Sequence, residues 1–171
     1  LTEERKFKGS LEDLIAVRAN VNVPLLRKDF IANEYQILEA RAAGADIILL
    51  IVAGLAESDI VRLKEFTEQL GMLAFVETHD REELKLAVAV GSEMIGVNAR
   101  DLSTFETDRD LFAKVVDEIP NGIIKVAESA VRNADDVAHY RKSGADVVLV
   151  GEALVTNDPA QMLQSFLRAG K

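Results

Sequence analysis

Lys28, Glu77, Asn98, Arg100, Glu128 and Ser129 are the residues best suited to chemistry, because each closes or follows an apolar run. They stand in PLLRKD, LAFVETH, MIGVNARD and IIKVAES. A lysine ammonium beside carboxylates can protonate a carbonyl oxygen, and a free lysine amine can form a Schiff base. The same lysine would serve equally as a solvated loop residue. Glu77 either enters a shared mouth, where it orients Lys28 and keeps it charged, or pairs with a neighbour. Asn98 and Arg100 are two residues apart and share a face if the strand continues that far, where they would fix a polyol or carboxylate. Asp101 reads equally as structural glue. Glu128 suits proton acceptance or charge stabilisation, and Ser129 suits anion binding. No GxSxG surrounds Ser129 and no histidine lies nearby, so a serine nucleophile is disfavoured. Gly151 ends VVLVG, and a short helix after it would aim the N–H groups near Gly151 and Glu152 at a phosphate. A plain tight turn explains that glycine equally well. His79 reads as a loop or helix-start residue, and neither it nor His139 has a second histidine at ligand spacing. No metal site is expected.

These residues need a frame that brings strand ends together. Six apolar runs read as strands: 24–26, 47–52, 73–76, 94–97, 123–126 and 147–150. Most lack alternation, as expected of a parallel sheet covered on both faces. Helical patterns fall at 11–19, 34–43, 57–69, 81–90, 109–118, 134–143 and 159–168. Ser10 with Asp13, Asp80 with Glu83, and Asp158 before Pro159 are helix-start signals. Gly44, Gly71, Gly91 and Gly144 stand between helix and strand, where a left-handed residue stops the helix. A repeated βα unit follows. A doubly wound sheet shares this pattern, but neither GxGxxG nor GxxxxGK[ST] occurs. Polar residues converging from the C-terminal ends of several strands favour a TIM (β/α)₈ barrel, of which six of the eight units are evident. Left open, such a sheet exposes unpaired edges at its first and last strands.

With 171 residues, 49% of them hydrophobic, the chain can form a single domain over 1–171, incomplete at its N-terminus. It opens at Leu1 in what reads as the tail of a loop, so a processed or truncated chain is expected. No signal peptide, cysteine or apolar run of membrane-spanning length is present. Net charge is −9 and no basic patch occurs, which disfavours nucleic acid and membrane partners. A phosphorylated small molecule remains compatible, because a few backbone N–H groups suffice to hold it. A cytoplasmic enzyme domain is the expectation.

The stretches LTEERKFKGS, PLLRKDF, GADIILLIVAGL, LGMLAFVETH, IGVNARDLSTFETD, VAESAV and GADVVLVGEALV together resemble the indole-3-glycerol-phosphate synthase family, in family order and over essentially the whole chain. The resemblance implies conversion of 1-(2-carboxyphenylamino)-1-deoxyribulose 5-phosphate to indole-3-glycerol phosphate, carbon dioxide and water, without cofactor or metal. It implies that Lys28 protonates the carbonyl oxygen and Glu77 positions it. Asn98, Arg100, Glu128 and Ser129 match the polar mouth. Phe7 and Leu49 match apolar residues on the anthranilate side, and Ala130, Gly151 and Glu152 match the phosphate-binding backbone.

Two departures stand out. The family usually has glycine where this chain has Ala130; a positive φ there would strain the turn by about 1 kcal/mol. The family's first strand, with a second catalytic lysine and a glutamate, has no match here, nor has the second. The parent protein is therefore expected to be active and the isolated chain inactive. A complementary N-terminal segment or self-association would supply closure, and a phosphoribosylanthranilate isomerase domain fused in the precursor stays open. Rival readings are another ribulose-phosphate-type barrel enzyme and a non-catalytic partial-barrel scaffold or split-enzyme fragment. The absence of cysteine disfavours the isomerase itself.

Overall fold

A computed structural model describes residues 1–101, 104 and 106–171; within the stretch IGVNARDLSTFETD, residues 102, 103 and 105 lie outside it. The chain runs α1 (Leu11–Arg18), β1 (Leu26–Arg27), α2 (Glu34–Ala42), β2 (Ile47–Ile51), α3 (Glu57–Gln69), β3 (Leu73–Thr78), α4 (Arg81–Ala89), β4 (Met94–Asn98), α5 (Leu111–Val115), β5 (Ile124–Glu128), α6 (Ala134–Lys142), β6 (Val147–Leu149), α7 (Glu152–Val155) and α8 (Pro159–Ala169). Short 3₁₀ turns follow β2 and α5. All strand pairings are parallel, in the order β1-β2-β3-β4-β5-β6. Every strand lies beside its sequence neighbour, so the sheet has no reversal of strand order. A doubly wound sheet requires such a reversal. The fold is a partial (β/α) barrel.

Two apolar layers confirm this. Outward strand residues such as Ile48, Leu50, Val76, Ile95 and Ala127 pack with helix residues including Ile37, Ile60, Leu63, Leu84, Phe112 and Tyr140. The inner cluster of Leu49, Ile51, Phe75, Met94 and Val126 consists of strand residues alone. That is the interior of a barrel, filled by alternate residues of successive strands.

Local signals act as expected. Ser10, Asp80 and Asp158 accept hydrogen bonds from Asp13, Glu83 and Gln161 N–H, respectively. The helix-to-strand glycines take positive φ, 91° at Gly44 and 100° at Gly144, so the helix is broken at little steric cost.

Strand boundaries differ from the sequence reading at both ends. β1 begins at Leu26, past Pro24, which lacks the N–H a ladder needs. β3, β4 and β5 run on into their polar ends, to Thr78, Asn98 and Glu128, because neighbouring strands supply ladder partners such as Asn98 opposite Glu128. The fifth helix starts at Leu111 instead of Arg109 and finishes as a 3₁₀ turn. Among the described residues, β1 and β6 are each paired on one side only. Apolar side chains stay exposed on the outermost elements of the chain: Ile15 and Val17 on α1, Val147 on β6, Leu163 and Leu167 on α8.

Candidate active site

Strand alternation explains why the polar residues meet. Leu73, Phe75 and Glu77 alternate along β3, and the first two belong to the inner layer, so Glu77 faces inward as well. The same alternation carries Met94 to Asn98 on β4 and Val126 to Glu128 on β5. Lys28, just past β1, follows Leu26 inward. Lys28, Glu77 and Glu128 thus come from alternate strands, as one layer of a barrel requires.

Lys28 Nζ donates to Glu77 Oε2 at 2.6 Å and to Glu128 Oε2 at 2.9 Å. Both carboxylates are buried, whereas the lysine side chain keeps about a quarter of its surface. Burial opposes the ammonium, but Glu128 and Glu77 outweigh it and raise the Lys28 pKa above its ordinary value. Burial also opposes a charged Glu77; His79, Lys28 and Asn98 together outweigh it and hold that carboxyl well below the usual range. Glu128 goes the other way. Its burial, reinforced by the negative charge of Glu77 and only partly offset by Lys28, pushes it up to about 8. Among the described residues Glu128 Oε1 has no hydrogen-bond donor, so nothing at that oxygen compensates a buried negative charge. Two glutamates on one lysine are therefore driven apart, Glu77 towards the ionised form and Glu128 towards the protonated one.

Asn98 fixes this arrangement. Its Nδ2 donates to Glu77 Oε1 at 3.0 Å, while its Oδ1 accepts from Ser129 Oγ at 2.8 Å and from the Arg100 N–H at 3.0 Å. These contacts determine the amide orientation. Arg100 lies beyond the end of β4, so its alignment with Asn98 is not that of a continued strand. Its guanidinium instead reaches Glu152 Oε2 at 3.5 Å, across the mouth.

Ser129 and Ala130 both take positive φ, 65° and 55°. The turn after β5 is therefore left-handed where this chain carries alanine. Gly151 caps the short α7 at ordinary negative φ, and a Cβ there would meet nothing within 4 Å. Neither strain nor crowding within the chain calls for glycine at that position. Leu49 is buried in the inner cluster opposite Phe75. Phe7 is exposed, on a segment that docks beside the site where the Thr2 hydroxyl donates to Asp29 Oδ2 at 2.7 Å. Among the described residues, no cluster of three or more metal-ligating side chains is placed to hold an ion.

Two contributors escaped the sequence reading. His79, taken as a helix-start residue, does donate its backbone N–H to Glu83 Oε2 at 2.7 Å, but its ring also lies 3.2 Å from Glu77 Oε1. Gly96 sits within β4, where glycine is otherwise disfavoured, and that was the available signal of a close approach. A Cβ at Gly96 would come within 2.3 Å of Glu128 Oε1.

A family model described as indole-3-glycerol phosphate synthase matches residues 1–166. Proteins described in the same words include one from Leifsonia xyli subsp. xyli, 57% identical over 97% of this chain and 64% of its own length. Another, from Mycobacterium tuberculosis, is 52% identical over 99% of this chain and 63% of its own length. The chain thus spans less than two thirds of these relatives. Among solved structures, 3-hexulose-6-phosphate synthase from Salmonella typhimurium superposes with TM-score 0.76 at 17% identity, covering 95% of this chain and 81% of that one. A lactate oxidase from Pediococcus acidilactici superposes with TM-score 0.72 at 18% identity, covering 93% of this chain and 56% of that one. Likeness at that identity concerns the fold alone.

Proposed function

Since the chain belongs to the indole-3-glycerol phosphate synthase family, we propose that it supplies six consecutive βα units of an enzyme that closes the indole ring. The reaction would convert 1-(2-carboxyphenylamino)-1-deoxyribulose 5-phosphate to indole-3-glycerol phosphate, carbon dioxide and water. The observation that carries this reading is the Lys28 ammonium held by Glu77 and Glu128 at the strand ends.

Lys28 donates its proton to the ribulose carbonyl oxygen as the ring carbon bearing the carboxylate attacks the carbonyl carbon. Charge developing on that oxygen is neutralised as it forms. The new C–C bond costs the ring its aromaticity, and loss of carbon dioxide returns the electron pair to the ring. Dehydration then takes the hydroxyl from the former carbonyl carbon and a proton from the neighbouring CH₂, which the Lys28 amine left by the first step can accept. Glu128, protonated near neutrality, is suited to give the departing hydroxyl its proton. A Schiff base, the other use of a lysine, needs a free amine. Ionised Glu77, 2.6 Å from Lys28, favours the ammonium instead.

Asn98 holds Glu77, and Arg100 and Ser129 lie where substrate oxygens would approach. Leu49 and Phe7 supply apolar surface for the aromatic ring. The turn at Ala130 and the backbone at Gly151 and Glu152, at the ends of adjacent strands, are assigned to the phosphate, in keeping with barrels that bind phosphate beyond their last strands. Two further βα units pairing with the free edges of β1 and β6 would complete the barrel. A cytoplasmic setting, where phosphorylated sugars are made and retained, belongs to the same proposal.

The test is a completed barrel in which the amino-terminal portion of the Leifsonia xyli relative precedes Leu1, assayed by product fluorescence. It should turn over, Lys28→Ala should lower kcat by at least about 10³-fold, and the isolated chain should be inactive. A folded completed barrel that makes no product, or keeps its rate without Lys28, overturns the reading.

A further inference from the structure

His79 lies between a site carboxylate and a helix. Its Nε2 stands 3.2 Å from Glu77 Oε1 and its Nδ1 3.1 Å from Glu83 Oε2, with a tenth of the side chain exposed. Glu83 is itself anchored, because its N–H donates to Asp80 Oδ1 at 2.8 Å in the first turn of α4. The ring therefore ties the end of β3 to the start of α4 through two acidic groups. The Nε2 axis is not aligned on Glu77, so this contact acts through charge more than through a directed hydrogen bond. Glu77 otherwise has Asn98 on Oε1 and Lys28 on Oε2.

We propose that His79 is a positioning residue for the ring-closing reaction: seated between Glu77 and Glu83, it keeps Glu77 ionised and fixed in rotation, so that Lys28 stays aimed at the substrate carbonyl. The inference rests on the function proposed above.

Charge supports it. Burial lowers the histidine pKa, but Glu77 and then Glu83 outweigh burial and push it up to about 9. The charged groups around the ring are Glu77 from β3 and Glu83 from α4, with Lys28 and, from β5, Glu128 beyond Glu77. One imidazolium thus opposes the tendency of two neighbouring glutamates to share a proton. Without it, Glu77 would take up a proton more readily and the Lys28–Glu77 pair would weaken.

The experiment uses the completed barrel with His79→Ala, His79→Gln and Glu83→Gln. His79→Ala should lower kcat at pH 7 by about 10- to 100-fold with KM within about two-fold, and should bring an acid limb of kcat, due to Glu77, up towards neutral pH. His79→Gln, which keeps a donor but not the charge, should recover part of the rate. The His79 ring signal in NMR should titrate near 9 and fall in Glu83→Gln. A kcat unchanged in His79→Ala, or an His79 titrating in the ordinary histidine range, overturns the proposal. If the unsubstituted protein makes no product, the ring-closing reading fails instead. The positioning claim is then decided by the Glu77 carboxyl titration, followed by NMR, which should move up in His79→Ala and stay in place in the control His139→Ala; an unmoved Glu77 overturns it.

Discussion

Gly96 and Glu128 compete for the same volume: a Cβ on Gly96 would lie 2.3 Å from Glu128 Oε1 and 2.6 Å from Phe75 Cζ. The carboxyl can occupy its buried position only because β4 has no side chain there. Gly96→Ala should displace Glu128 from Lys28 and strain the inner layer, costing about 1–3 kcal/mol of stability. Its kcat should fall at least about tenfold. Denaturant unfolding and steady-state kinetics on the same protein check both effects. An alanine tolerated in both assays would mean that Glu128 does not need its present place.

Glu77→Gln removes the charge that faces Lys28 at 2.6 Å while keeping the shape. The lysine loses one of the two carboxylates that raise its pKa, so that pKa should fall. A drop in kcat of about 10²-fold or more, with a modest change in KM, is the expected kinetic signature. A rise in KM alone would move Glu77 from proton transfer to substrate binding.

Glycine at position 130 would relieve a left-handed alanine, since Ala130 has φ 55°. The relief, about 1–2 kcal/mol at most, is partly cancelled by the greater freedom of glycine in the unfolded chain. Ala130→Gly should therefore stabilise by a few tenths to about 1 kcal/mol and tighten phosphate binding if the methyl crowds the ligand. Differential scanning calorimetry and the inhibition constant of inorganic phosphate separate the two effects. Unchanged stability would show that the neighbouring turn, with Ser129 at φ 65°, already absorbs the strain.

Stability should fall as pH rises from slightly acid to alkaline. His79 is raised from 6.5 to about 9 in the fold, so its contribution is complete below 6.5 and is lost as pH climbs through 9. Glu128 is raised from 4.5 to about 8, so its contribution is complete below 4.5 and is lost as pH climbs through 8. Glu77 has the opposite sign: lowered from 4.5, it stabilises above that value and the benefit disappears in acid. Between about pH 6.5 and 8 the first two act together, giving a decline of up to about 2–3 kcal/mol per pH unit. Urea unfolding across pH 5–9 should show it, and Glu128→Gln with His79→Gln should flatten it. A flat profile in the parent would contradict both shifts.

The apolar runs, the helix caps and the joint glycines made the βα repeat legible, because each signal is local. Lys28, Glu77, Asn98, Glu128 and Ser129 were legible for the same reason, as polar residues stopping apolar runs. The lengths of β3, β4 and β5 were not, since Thr78, Asn98 and Glu128 are strand residues only by virtue of partners on other strands. Arg27 is another case. Nothing in PLLRKD marks it, yet it is a buried strand residue donating to the Gln36 carbonyl at 2.7 Å and paired with Asp29 at 3.2 Å. Gly96 and His79 depend on groups 32 residues away and two residues away, respectively, and only the spatial relation gives either a role.

The open edges make a last prediction. Leu163 and Leu167 on α8 and Ile15 and Val17 on α1 are exposed, and among the described residues β1 and β6 are paired on one side only. Unpaired parallel edges flanked by apolar helix faces favour association. The isolated chain should therefore form concentration-dependent oligomers in sedimentation velocity, whereas the completed barrel should show far less. Leu163→Glu with Leu167→Glu should reduce oligomers of the isolated chain and destabilise the completed barrel, because the same face would be buried there. Loss of self-association without any cost to the completed barrel would place α8 outside the closing interface. A chain that stays monomeric at its highest soluble concentration would mean that its edges are protected in another way.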